Sequence, residues 1–185
     1  MIQNEVTKTI MERRSIRAYK PDQVTEEELA TVLECGINAP SGANRQQWFV
    51  SVMQDKAFLD EISEKLYAWR VANAANEEEI AKINARPKSA NFGAPTVLWC
   101  AYPAEEGPAN LGFLAENMVL TAASLGLGTC FLGGIMAYLK GTDEGKEIVS
   151  RMKLPEGYEL AYGLTLGYPA ECPDAKPRDK KWIRI

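Results

Sequence analysis

The sequence predicts one domain that mixes α-helices with β-strands, and three observations carry that expectation. Its 185 residues suit a single domain covering 1–185, a size that buries about 70% of the surface of the unfolded chain. Amphipathic stripes at helical spacing alternate along the chain with short runs rich in β-branched and aromatic residues. No repeat, low-complexity segment or second-domain linker interrupts them. An apolar fraction of 46% and a charged fraction of 25% are those of an ordinary globular protein.

The elements follow in order. Glu5 to Met11 reads as a short helix with Val6 and Ile10 on one face, ending in the basic stretch Arg13-Arg14-Ser15-Ile16-Arg17. Thr25 with Glu28 three residues on is a capping-box signature, and Leu29, Val32, Leu33 and Ile37 form the stripe of the helix it opens. Residues 39–44 are a loop, and Trp48 to Met53 a buried strand. Lys56 to Ser89 reads as helical and polar, with Phe58, Leu59, Ile62, Leu66 and Trp69 on its apolar side. Thr96 to Tyr102 is a second strand. Pro108 to Leu125 is a long, nearly apolar helix, which belongs at the centre of a core or a subunit interface. Gly126 to Gly134 passes through a short strand into a glycine turn, followed by a helix from Gly145 to Met152 and a strand from Leu160 to Gly167. After a polar arm, Trp182-Ile183-Arg184-Ile185 is too apolar for a frayed end and is expected to reach a sheet.

Composition excludes several chemistries. The chain has no histidine, which removes Ser-His-Asp triads and His-containing zinc sites. Its four cysteines form no Cys-x-x-Cys pair and read as buried reduced thiols; no metal site is expected. The net charge of −4 argues against nucleic acid or an anionic membrane as the main partner. The first residues lack a basic and apolar leader, and no stretch approaches the ~18 apolar residues of a membrane span. A cytoplasmic protein is the expectation.

Four pieces can carry chemistry. Arg13, Arg14, Ser15 and Arg17 can bind a phosphate through charge-assisted hydrogen bonds, or simply form a solvated patch at a helix end. The loop Pro40-Ser41-Gly42-Ala43-Asn44-Arg45-Gln46-Gln47 can offer amides to a planar heterocycle, or be an ordinary turn. Gly126 to Gly134 is not a dinucleotide fingerprint, because Phe131 stands where glycine is required and a helix precedes it. Its pair Gly133-Gly134 still lets a ligand approach bare backbone. Lys176-Pro177-Arg178 is a second cationic group, or an exposed tail.

In this order and spacing the pieces resemble the FMN-dependent nitroreductase family. Ala94-Pro95, Ala115-Glu116-Asn117-Met118 and Leu166-Gly167-Tyr168-Pro169 extend the likeness, and only 56–89 lies outside it. The resemblance implies an α+β sandwich with a mainly antiparallel sheet flanked by helices, and a homodimer exchanging the C-terminal strand, with FMN at its interface. It implies that Arg13, Ser15 and Arg17 hold FMN with Arg14 assisting, and that Arg17 lies by the N1/O2 edge of the ring. Pro40, Ser41, Gly42, Asn44 and Gln46 would come from the other subunit, Gly133 and Gly134 would face N5 and O4, and Arg178, with Lys176, would meet the phosphate. The activity implied is a ping-pong transfer of hydride from NAD(P)H to a nitroaromatic, quinone or similar acceptor, with no side chain acting as nucleophile or general acid. The chain departs from the family pattern at Gln47, where proline is usual, and at Gly133, where glutamate is common. A flavin-binding module for storage, sensing or electron relay is the competing reading.

Overall fold

The computed structural model describes residues 2–184. Helix α1 (Glu5–Glu12) opens on Asn4, whose side chain accepts the Thr7 N–H at 2.9 Å while the Thr7 hydroxyl accepts the Asn4 N–H. Helix α2 (Glu26–Ile37) carries the expected box, with the Thr25 N–H donating to the Glu28 carboxylate at 2.8 Å. Strand β1 (Phe49–Met53) begins one residue later than the apolar run suggests, since the Trp48 N–H turns back to the Gln46 carbonyl at 2.8 Å.

The segment expected as one helical stretch is two helices and a loop. Helix α3 (Lys56–Ala72) ends where the Asn73 side chain folds back onto the Trp69 carbonyl. Asn76 then caps α4 (Glu77–Asn84), and Pro87 prevents its continuation to Ser89. Strand β2 (Thr96–Pro103) is followed by α5 (Leu111–Ser124), three residues shorter at its start than expected because Pro108 to Asn110 forms a turn. Next come β3 (Gly128–Phe131), α6 (Met136–Gly141), α7 (Asp143–Ser150) and β4 (Tyr158–Gly167). Helix α6 was not expected; six residues are too few to show a helical period.

The strands form one antiparallel sheet in the order β1-β2-β4-β3. In β2 the residues Thr96 to Ala101 are all buried, so helices cover both faces. Leu98 and Cys100 pack with Leu164, Leu166 and the α2/α5 layer, whereas Val97 and Trp99 pack with Leu160 and the α3/α6/α7 layer. The α+β sandwich is therefore observed. Gly36 lets α2 settle on α5, where a Cβ would meet Met118 Cγ at 2.6 Å.

Helix α5 is buried on one face only: Leu114, Met118 and Ala122 are fully covered, but Phe113 is 53% exposed. On α1, Val6, Ile10 and Met11 are exposed as well. Residues 170–184 hold no strand, and Trp182 and Ile183 are exposed, so the expected terminal strand is not paired within this chain. Ile185, its last residue, lies outside the described residues. No helix among the described residues is long and apolar enough to cross a membrane.

Candidate functional site

The basic stretch after α1 does not continue as helix. Arg14 donates to the Met11 and Arg13 carbonyls, both at 2.9 Å, closing the helix end. Ser15 bridges Thr129 in parallel, and the Ile16 N–H donates to the Thr129 carbonyl at 2.9 Å, so the segment lies along the β3 edge of the sheet. The seat for Ile16 exists because residue 128 is glycine; a Cβ there would lie 2.8 Å from Ile16 Cγ1.

The tail leaving β4 runs beside the same segment. Lys20 donates to the Tyr168 carbonyl and Ala170 to the Ala18 carbonyl, both at 2.9 Å. The Arg17 backbone N–H donates to the Glu171 carboxylate. Tyr19 closes the layer beneath, donating to the Ile16 carbonyl at 2.9 Å and lying 2.6 Å from Thr165 Oγ1. Burial raises the Tyr19 phenol above its ordinary range, so it stays neutral. Burial also raises the Cys130 thiol against the lowering pull of Arg17, and carries Cys100 up to about 12. Neither is a ready nucleophile.

These contacts bring both ends of the chain around one concavity of about 110 Å³, lined by Arg13, Arg14, Ser15, Arg17, Lys176 and Arg178. Asp174 is the one carboxylate on its wall. Among the described residues none of the five cations has a carboxylate within 4.0 Å. Five positive groups against one negative group leave a strong preference for an anion.

Pro40, Ser41, Gly42, Asn44 and Gln46 do not line this concavity. Their loop leads into β1, the opposite edge of the sheet. The loop is strained: Ala43, Asn44 and Gln46 have φ of 52°, 55° and 49°. It is held by the Gln46 N–H donating to Ser41 Oγ at 2.9 Å and by the buried Gln47, whose amide bonds Glu106 and Asn110. Gln47 thus locks the loop to the turn before α5, a role its position in the sequence does not reveal. Arg45 adds an ion pair to Glu106 at 3.1 Å.

Gly133 and Gly134 form an exposed turn after β3, and a Cβ on Gly133 would meet nothing within 4 Å. The bare backbone there is open to a ligand. Two neighbours escaped the sequence reading. The Arg17 guanidinium lies 6.0 Å from the Phe92 ring centroid, and Arg70 Nη2 lies 3.9 Å from a Cβ built on Gly134. Both residues come from the segment between β1 and β2, whose polar composition gave no signal. Asn91 is spent on structure, donating to the Ala94 carbonyl at 2.6 Å and accepting from Ser89.

Comparison with known proteins places this geometry among relatives. The family model described as "Nitroreductase family" matches residues 10–168. An FMN reductase [NAD(P)H] of Bacillus subtilis is 29% identical over 187 residues, covering 95% of this chain and 70% of the relative. Among solved structures, an FMN-bound nitroreductase from Desulfitobacterium hafniense superposes with a TM-score of 0.88 at 29% identity, covering 100% of this chain and 99% of that one. An FMN-dependent nitroreductase from Clostridium difficile gives a TM-score of 0.81 at 29% identity, with 98% and 99% covered.

Proposed function

The chain belongs to the nitroreductase family, and on that premise we propose that it is an NAD(P)H-dependent flavin oxidoreductase, 1–185 acting as one domain that holds FMN between two copies of itself. The observation that carries the reading is the convergence of Arg13, Ser15 and Arg17 with Lys176 and Arg178 on one concavity. The donor set fits the cofactor. Guanidinium groups pair with a phosphate dianion through charge-assisted, often bidentate hydrogen bonds, and one aspartate cannot neutralise five cations.

FMN, when bound, would supply the redox chemistry, a ping-pong hydride exchange between NAD(P)H and an electron-poor acceptor such as a nitroaromatic or quinone. The residues of this chain bind and orient. Arg13, Ser15 and Arg178, with Lys176 and Arg14, hold the phosphate end. Arg17 places positive charge beside the ring, which favours electron uptake. Gly133 and Gly134 present exposed backbone to the ring edge, and Phe92 provides an apolar wall next to Arg17. With no histidine in the chain, no imidazole can shuttle protons.

Sheet geometry supports the second copy. The loop with Ser41 and Asn44 precedes Phe49, which lies level with Ala101 and Leu160, while Ser15 lies beside Thr129, level with Leu166. Four strand spacings across and six residues along the sheet separate the two by roughly 28 Å. One chain cannot close both around a single ring system, whereas a symmetric pair can. Exposed Val6, Ile10 and Phe113 on α1 and α5 offer it an apolar face, and Trp182 and Ile183 an arm to exchange.

The test is direct. Purified protein should be yellow, release FMN on heating, and bleach on a catalytic timescale when mixed with NADH or NADPH in a stopped-flow instrument. A coloured protein that never bleaches would instead be a storage or relay module. A colourless protein that takes up no FMN would sink the reading.

A further inference from the structure

The C-terminal tail is fastened to the basic segment by one side chain. Tyr19 faces Pro169 across an antiparallel bridge, flanked by main-chain bonds from Lys20 to Tyr168 and from Ala170 to Ala18. A regular ladder would go on to pair the main chains of Ile16 and Cys172. It does not, because the Ile16 N–H is given to the Thr129 carbonyl on β3. The segment therefore changes neighbours at Arg17, from β3 before it to the tail after it. Among the described residues the Arg17 N–H has no main-chain acceptor, and the Glu171 carboxylate takes it. This is also the last hydrogen bond, among the described residues, from the tail to the rest of the chain. Beyond it, Arg178 donates only to the Lys176 and Pro177 carbonyls, within the tail itself.

The direction set at Glu171 carries along the tail. Prolines stand at 169, 173 and 177, and each fixes its own φ and confines the residue before it. Cys172, Pro173, Lys176 and Pro177 are thus all restricted, and a stiff tail conveys its starting direction to Lys176 and Arg178. Glu171 does this without filling the place of the phosphate. It borders the neighbouring cavity of about 340 Å³, together with Arg13 and Arg14, and does not line the cationic concavity. Among the described residues it forms no ion pair with any of the five cations. A carboxylate that bonds a backbone N–H here leaves every guanidinium free for a ligand.

We propose that Glu171 is a positioning residue for the cofactor, its hold on the Arg17 N–H setting Arg17 and the tail's Lys176 and Arg178 on two sides of one phosphate. This rests on the flavin oxidoreductase reading given above. The charge of Glu171 acts in the opposite sense, since a carboxylate beside an anion site weakens it. Removing the side chain would tighten FMN binding through charge alone, and loosens it through the lost hydrogen bond. The sign of the change therefore tells the two effects apart.

Three substitutions separate reach from charge. E171Q keeps an oxygen at the same reach without the charge, E171D keeps the charge but withdraws it by one methylene, and E171A keeps neither. The Kd for FMN, read by equilibrium dialysis of flavin-loaded protein, should rise ~10-fold in E171A and E171D, the factor of one charge-assisted hydrogen bond. In E171Q it should stay within about threefold of the unmodified protein, because a neutral acceptor retains part of the bond. By NMR, the Arg17 amide should exchange with D2O faster in E171A and E171D and at the native rate in E171Q. FMN binding unchanged or tighter in E171A overturns the proposal, as does a loss in E171Q equal to that in E171A. Arg17 exchange that is the same in all four proteins overturns it too. Should E171A fail to fold, E171D against E171Q carries the same decision. A native protein that takes up no FMN defeats the flavin reading instead. Calorimetric titration with inorganic phosphate then replaces dialysis: the same order of variants keeps Glu171 in its role, and any other order, or no phosphate binding, overturns it.

Discussion

Ser41 Oγ accepts the backbone N–H of Gln46 at 2.9 Å, closing a loop in which Ala43, Asn44 and Gln46 all adopt left-handed backbone. That conformation is disfavoured for residues other than glycine, so it persists only because bonds at both ends enforce it. Ser41→Ala removes one of them. It should lower stability by about 0.5–1.5 kcal/mol, seen as a drop of a few degrees in Tm, and weaken FMN retention at the same time. Unchanged FMN affinity in a destabilised protein would show that the loop's shape does not matter to the cofactor.

Arg13 and Arg178 come from opposite ends of the chain to one concavity. Arg13→Ala with Arg178→Ala should give mostly flavin-free protein, because two charge-assisted hydrogen bonds amount to roughly 3–6 kcal/mol. The ratio of absorbance near 450 nm to that at 280 nm reads the outcome. Stoichiometric flavin in the double variant would refute the phosphate assignment.

Gly128 decides where the basic segment lies. Its added Cβ would sit 2.8 Å from Ile16 Cγ1 and 2.9 Å from Ile16 Cβ, so Gly128→Ala must push the segment off β3. Overpacking of this kind costs about 1–3 kcal/mol. The distinctive expectation is a loss of FMN affinity larger than that of Gly141→Ala, which meets nothing within 4 Å. Equal FMN affinities in the two variants would count against the seat of Ile16 as the positioning device.

Glu61 supplies a pH signature in the opposite layer. Arg151 donates to both its oxygens, at 2.8 and 2.9 Å, and stacks on Phe58, with Lys65 also in reach of Glu61 at 3.2 Å. The hydrogen bonds from Arg151 lower the carboxyl pKa from 4.5 to about 2. A pKa lowered by folding contributes stability that is fully present above the unfolded value and lost as pH falls through the folded one. The difference in urea midpoint between the native protein and Glu61→Gln should be constant above pH 5 and shrink between about 4.5 and about 2. A difference that grows as pH falls would reverse the assigned sign.

The amino-acid order alone determined the local elements whose cause is local. The Thr25–Glu28 capping box, the stripe of α2 and the β-branched runs of β1, β2 and β4 are written in neighbouring residues, and the spacing of the basic and glycine motifs pointed to the family. Other features were decided only in three dimensions. Helix α6 is too short to show a period, and the break at Asn73 to Asn76 depends on caps that polar helices also carry on their surfaces. The sheet order β1-β2-β4-β3 sets the loop of Ser41 at the opposite edge from Ser15. Gln47 became a buried lock because Glu106 and Asn110, far along the chain, fold against it. Arg70 reached the glycine turn the same way. Periodicity and capping report on residues a few positions apart, whereas a site is made by contacts between distant segments, whose partners are known only once the chain has packed.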